Sequence, residues 1–396
     1  MKQNVFSLCL AGILAVGLTV VSLPAAAAEP VTINVYNWGQ YISDGSDGYL
    51  DVNAAFTEAT GIEVNYMTFD TNESLYTKLK TGGSTYDVII PSDYMIARLI
   101  AEDMLEPLDF DHIPNYQYVD EEFKNTAYDP DNTYSVPYTW GAVGIIYNTK
   151  YVDEVTSWES LWDTQYADKI LMFDNPRDAF AIAQLRLGYS LNSEDFDEFQ
   201  AAAALLKEQK PVVQSYVMDQ IFDKMEHEEA WIAPYYAGDY LTMVQENDAL
   251  AFCYPEEGFN VFIDAMCIPK GAPNKAAAEA YINFLCSPEI SGQNLEYLGY
   301  STPISAAKQY MDPEVASSEV AYPSSDVLAR GESFLALSDE STQEMDSLWL
   351  EVKTDGNITG YLIAGAAAIL VIVGLVLFVT MRKRKRMAVR KARKKS

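Results

Sequence analysis

Short apolar runs alternate with turn-bounded helical patterns from residue 31 onward, and no other feature narrows the fold as much. Val31–Tyr36 reads as a strand, and a helix carrying Leu50, Val52, Ala55 and Phe56 stops at Gly61. Ile62–Met67 is strand-like, a helix around Leu75 and Leu79 follows, and Asp87–Ile90 is a short strand before a helix from Met95 to about Asp103. Strands and helices alternating at this spacing form a sheet with helices on its faces, an α/β fold. The apolar run Gly141–Tyr147 reads as a first crossing into a second half. There Ile170–Phe173, the helices Ala179–Tyr189 and Glu194–Leu206, and the strand Ala230–Ala233 repeat the theme. The chain recrosses near Tyr254–Asp264, and Asn274 is expected to cap a helix reaching about Cys286. A chain of 396 residues exceeds one ordinary core, which fits two lobes. Ser317–Asn357 reads as acidic helical material and a polar stalk.

The recrossing stretch Asn260–Pro269 holds an anomaly, because Asp264 interrupts an otherwise buried strand. Alternation puts Phe262, Asp264 and Met266 on one face. A carboxylate there is costly unless a cation or hydrogen-bond donors meet it, and an aromatic two residues away supplies half of a cage for an organic cation. A neighbouring Arg or backbone amides would satisfy the same carboxylate. Four other strands carry aromatic or polar residues just past their carboxyl ends: Trp38 and Tyr41; Ser92 and Tyr94; Asp174, Asn175 and Asp178; Tyr236 and Asp239. Open α/β sheets bind ligands at that edge, so the set favours a ligand cleft. Asp178, Asp239 and Asp264 spaced along a slot suit an extended molecule with an amine at each end, through charge-assisted hydrogen bonds.

Both ends of the chain look like address labels. Met1–Ala28 has Lys2, an apolar run and a small-residue cleavage site, the pattern of a secretory signal peptide. Tyr361–Met381 is uncharged and apolar, and its 21 residues would span ~31 Å as a helix, a bilayer's thickness. The basic run 382–396 behind it predicts a cytoplasmic tail, with the binding domain outside the cell membrane. Ten of the 27 Lys and Arg residues lie in that tail and all 57 acids lie between Glu29 and Asn357, so the net charge of −30 understates how acidic the exposed part is. Such a surface attracts cations and repels nucleic acid. Cys253, Cys267 and Cys286 remain after signal cleavage, an odd number that makes no full disulfide framework. Asp129–Asn132 lacks the Gly and distal Glu of a calcium loop, and no metal or cofactor is expected. Paired carboxylates also serve glycosidases, which keeps a surface hydrolase as an alternative. However, His112 and His227 are the only histidines, and no nucleophile elbow, zinc motif or phosphate loop occurs.

Asn37-Trp-Gly-Gln-Tyr41, Thr71-Asn-Glu-Ser-Leu-Tyr-Thr-Lys-Leu-Lys80, Tyr86-Asp-Val-Ile-Ile-Pro-Ser92, Tyr134-Ser-Val-Pro-Tyr-Thr-Trp-Gly141 and Thr302-Pro303 resemble the extracytoplasmic spermidine/putrescine-binding proteins of ABC transporters, in order from about Thr32 to about Leu337. The resemblance implies a periplasmic-binding-protein-like fold, two α/β lobes joined by crossing hinge strands and closing over a polyamine. It places lobe 1 at 29–139 with 262–310 and lobe 2 at 140–261 with about 311–345; the stalk at 346–360 and the membrane helix at 361–381 rest on the chain's own apolar and charge pattern, and the anchor is unusual among such proteins. It implies a monomeric, non-enzymatic receptor that delivers its ligand to a permease and its ATPase. Carried over by position, the cleft residues are Trp38, Tyr41, Ser92, Tyr94, Asp178, Tyr236, Phe262, Asp264 and Tyr300. Asp239 matches a Trp-Ala-Gly-Asp of the putrescine-binding branch, here Tyr236-Ala-Gly-Asp239. Tyr236 and Phe262 stand where tryptophans are common, Asn175 where spermidine binders carry Asp, and Phe334 where they carry Gln. Thiamine, an iron complex or an oligosaccharide are the alternative ligands for the same fold.

Overall fold

The structure, a computed structural model, describes residues 31–82 and 85–354. Strand β1 (Thr32–Trp38) buries Ile33, Val35 and Asn37 on one face. It pairs in parallel with β2 (Glu63–Phe69) and β3 (Val88–Ile89). The helices between them begin and end where local chemistry dictates. Asp51 accepts a hydrogen bond from the Ala54 amide at the start of Val52–Thr60, which stops at Gly61 with φ of 74°. Thr71 and Ser74 form a reciprocal capping box on Asn72–Thr81.

Strand β4 (Ser135–Asn148) runs through the middle of the molecule without a break. Its first part pairs antiparallel with β9 (Phe259–Cys267), and its second part pairs with β7 (Ile232–Tyr236) and β8 (Leu250–Cys253). The register slips between Pro137 and Thr139, which accommodates a proline in a central strand. Beyond β7 lie β5 (Ile170–Phe173) and β6 (Val213–Val217), so the sheet order is β2-β1-β3-β9-β4-β7-β5-β6, with β10 (Gly331–Glu332) beside β9. One core gathers Ile33, Val35, Phe56, Val88 and Tyr281. The other buries Trp158, Phe173, Phe180 and Phe199. This is a two-lobed α/β fold.

Several expectations change. The signal peptide at 1–28, the transmembrane helix at 361–381 and the basic tail at 382–396 lie outside the described residues. No helix among the described residues is long and apolar enough to cross a membrane, so the fold class is corrected to two lobes, with no membrane-spanning helix among the described residues. The expected stalk is likewise corrected through Thr354. The helix Asp339–Thr354 buries Met345, Leu348, Trp349 and Val352 against the helices Pro176–Arg186 and Phe196–Gln209. Its apolar residues recur at helical spacing beneath an acidic outer face, and that face hides the stripe in a linear reading. Asn274 stands at its expected N-cap position but makes no side-chain cap there. Its amide reaches instead to the Thr32 carbonyl.

Candidate ligand-binding cleft

The ten residues expected in the cleft line one cavity of about 720 Å³, counting space open to solvent, whereas Asp174 lies outside its lining and pairs with Lys353. Their convergence follows from the sheet. Trp38 ends β1, Tyr236 ends β7, and Ser92 precedes the helix Asp93–Ala101 that follows β3. Asp178 and Asp239 sit in the first turns of the helices Pro176–Arg186 and Ala237–Glu246, where the helix dipole favours negative charge. Phe262 and Asp264 come from β9, and Tyr300 from the loop after the helix Pro288–Leu298.

Asp264 is 3% exposed. Its Oδ2 accepts from the Tyr41 hydroxyl at 2.6 Å, and that hydroxyl also contacts Thr139 Oγ1 at 2.6 Å. The Ser92 hydroxyl lies near enough to help hold this carboxyl's pKa down, and it accepts from the Asn72 amide at 3.1 Å. Oδ1 of Asp264 is buried and has no partner among the described residues. Neither a neighbouring Arg nor a full set of backbone amides therefore satisfies it. Burial pushes its carboxyl up to about 6, although the Ser92 and Tyr41 hydrogen bonds pull the other way.

The opposite wall repeats the pattern. Asp178 Oδ2 accepts from the Asn175 amide at 2.7 Å and from the Tyr236 hydroxyl at 3.1 Å. Burial raises its carboxyl to about 7. Asp239 is raised to about 8 by burial, opposed by a hydrogen bond from Tyr300. The rings interlock edge to face: Tyr41 on Tyr300 at 4.9 Å, and Tyr236 on Phe262 at 5.5 Å. Trp38 packs on Phe69 at 4.5 Å. Three carboxylates, one of them with an unpartnered buried oxygen, thus sit among aromatic walls. Removing them from water without a cation is costly, and a ligand bearing ammonium groups would restore their charge.

Sequence reasoning missed several neighbours. Asp70 and Asp219 also line the cleft; Asp70 directly follows β2, so the strand-end rule could have found it, whereas Asp219 follows β6, a strand without a clear apolar pattern. Asp93 lies behind the cleft, accepting from the Tyr94 and Ile263 amides, and burial lifts it to about 8. Asn72, Asn260 and Phe69 left no local signal. Among the described residues no group of three or more His, Cys, Asp or Glu could hold a metal ion.

A family model described as bacterial extracellular solute-binding protein matches residues 83–328. The spermidine/putrescine-binding periplasmic protein of Salmonella typhimurium is 35% identical over 335 residues, covering 84% of this chain and 93% of its own. A putative spermidine/putrescine ABC transporter structure from Listeria monocytogenes superposes with a TM-score of 0.78 at 37% identity, covering 82% of this chain and 99% of that one. The substrate-binding protein PotD from Streptococcus pneumoniae, solved with calcium and HEPES, gives 0.69 at 37% identity, covering 82% and 98%. The Salmonella relative is named as periplasmic, and no described helix could cross a membrane. The expected single-pass membrane localisation is therefore corrected.

Proposed function

Since this chain belongs to the bacterial extracellular solute-binding proteins, in the group that includes spermidine/putrescine-binding proteins, we propose that it captures a polyamine and presents it to an ABC permease and its ATPase. Members of this family bind solutes and are not enzymes, which sets the hydrolase alternative aside. The observation that carries the reading is the set of carboxylates, Asp178 and Asp264 buried and Asp239 half-buried, facing one ring-walled cleft. Asp264 holds an interior amine, and Asp178 and Asp239 hold further amines from the other side. Trp38, Tyr236 and Phe262 cover the methylene stems, each ring contributing ~0.5–2 kcal/mol toward a nearby cation.

In this reading lobe 1 comprises 29–139 with 262–310 and lobe 2 comprises 140–261 with about 311–345. They close about the β4 and β9 crossings, and expelling water strengthens each ion pair inside. The test is thermal unfolding of the purified protein with putrescine, spermidine, thiamine, ferric citrate or maltose. An amine at 100 times its dissociation constant adds ~2.7 kcal/mol. A response to thiamine, ferric citrate or maltose alone would overturn the assignment.

A further inference from the structure

Tyr94 lines a second cavity as well, of about 440 Å³ counting space open to solvent. Glu73, Met95 and Arg98 reach it from lobe 1, and Arg177, Met345 and Asp346 from lobe 2 and the helix Asp339–Thr354 packed on it. Arg177 is 4% exposed. Its Nη2 donates to Asn192 Oδ1 and the Leu335 carbonyl, but Nε and Nη1 have no partner among the described residues. Glu73 accepts from the Tyr94 hydroxyl through Oε1, whereas Oε2 is buried and unpartnered. A guanidinium and a carboxylate each left with unmet hydrogen-bonding capacity are costly to bury. Met95 and Met345 supply apolar, adaptable walls between them.

We propose that this cavity is a second ligand site, for a small zwitterion with an apolar stem. The carboxylate of the ligand takes the free Arg177 N–H groups, and its ammonium meets Glu73 Oε2 and the Asp346 carboxylate. Because the two lobes each supply half of the lining, and Arg98 Nη2 bonds Asp339 Oδ1 across them at 3.0 Å, the site is complete only when the lobes meet. An occupant therefore favours the same closed form as the ligand of the main cleft, and by linkage the two bind cooperatively. This coupling rests on the polyamine reading; the cavity itself does not.

Calorimetric titration of the full-length protein decides the matter, with L-leucine and 4-aminobutanoate as probes and 3-methylbutylamine and 4-methylpentanoate as single-charge controls. At least one zwitterion is expected to bind the putrescine-loaded protein and to tighten putrescine binding roughly fivefold or more, the lower end of ordinary coupling. The controls should do neither. Glu73→Gln should abolish the response. So should Ala336→Trp, which plugs the cavity from an exposed lining position and leaves putrescine binding in the absence of zwitterion unchanged. The proposal falls if neither zwitterion binds, if one competes with putrescine, or if Ala336→Trp responds like the parent. Should putrescine alone fail to bind, the polyamine reading fails, and titration of the zwitterions into the unliganded protein still judges the cavity.

Discussion

At the scale of single residues, Asp264 carries the sharpest prediction. Its Oδ2 is already engaged by Tyr41 and its Oδ1 is not, so the substitution Asp264→Asn keeps the shape and removes the charge. Amine affinity should fall roughly tenfold or more, the loss of one charge-assisted contact, with the unliganded fold retained; titration and circular dichroism read the two halves. The same carboxylates set a pH dependence. Asp264, Asp178 and Asp239 are raised to about 6, 7 and 8 in the folded, unliganded protein. They take up protons on folding, so their contribution is most favourable below the unfolded carboxylate range near ~4 and is lost as pH rises through the folded values. A bound cation reverses the preference, because it needs the ionised forms. Polyamine affinity should therefore weaken as pH drops from 8 to 5. Binding at pH 6.5 should release protons, seen as a dependence of the calorimetric heat on buffer ionisation enthalpy.

At the scale of elements, the helix Ala237–Glu246 meets the Tyr300 loop so closely that a Cβ on Gly238 would lie 2.3 Å from the Tyr300 ring. The substitution Gly238→Ala should displace that ring, cost about 1–3 kcal/mol in stability, and weaken amine binding by freeing Asp239 of its hydroxyl partner. A crystal structure of the variant with Tyr300 unmoved would contradict this. Trp349→Ala in the last described helix should cost ~3–5 kcal/mol in a denaturant melt, which a loosely attached stalk would not. These two elements also mark what was legible. Ile170–Phe173 was read correctly because four fully buried residues leave a continuous apolar run, and the strand ends that converge on the cleft followed from that. Val213–Val217 was missed because Gln214 and Ser215 break its apolar character. Asn72 and Asp93 act through contacts more than 19 residues away, where no local pattern exists to see.

At the scale of the whole molecule, the Arg98–Asp339 pair is one of the polar links that join the two lobes in the proposed division. Asp339 is largely exposed, so Asp339→Ala, which removes this pair and leaves the contacts of Arg98 with Glu102 and Tyr76, should cost at most about 1 kcal/mol. It should appear as a modest loss of amine affinity and a larger radius of gyration for the unliganded protein in X-ray scattering. An unchanged radius would mean that the pair does not help hold the lobes together. Strand β9 has a different kind of consequence. It sits between β3 and β4 in the sheet, although it is made more than a hundred residues after either. As the chain emerges from its amino end, β3 and the first part of β4 lack the strand that lies between them until residue 267 has appeared. The first half of the protein must wait, unfinished, for the second, and an unfinished sheet can still be threaded through a narrow export channel.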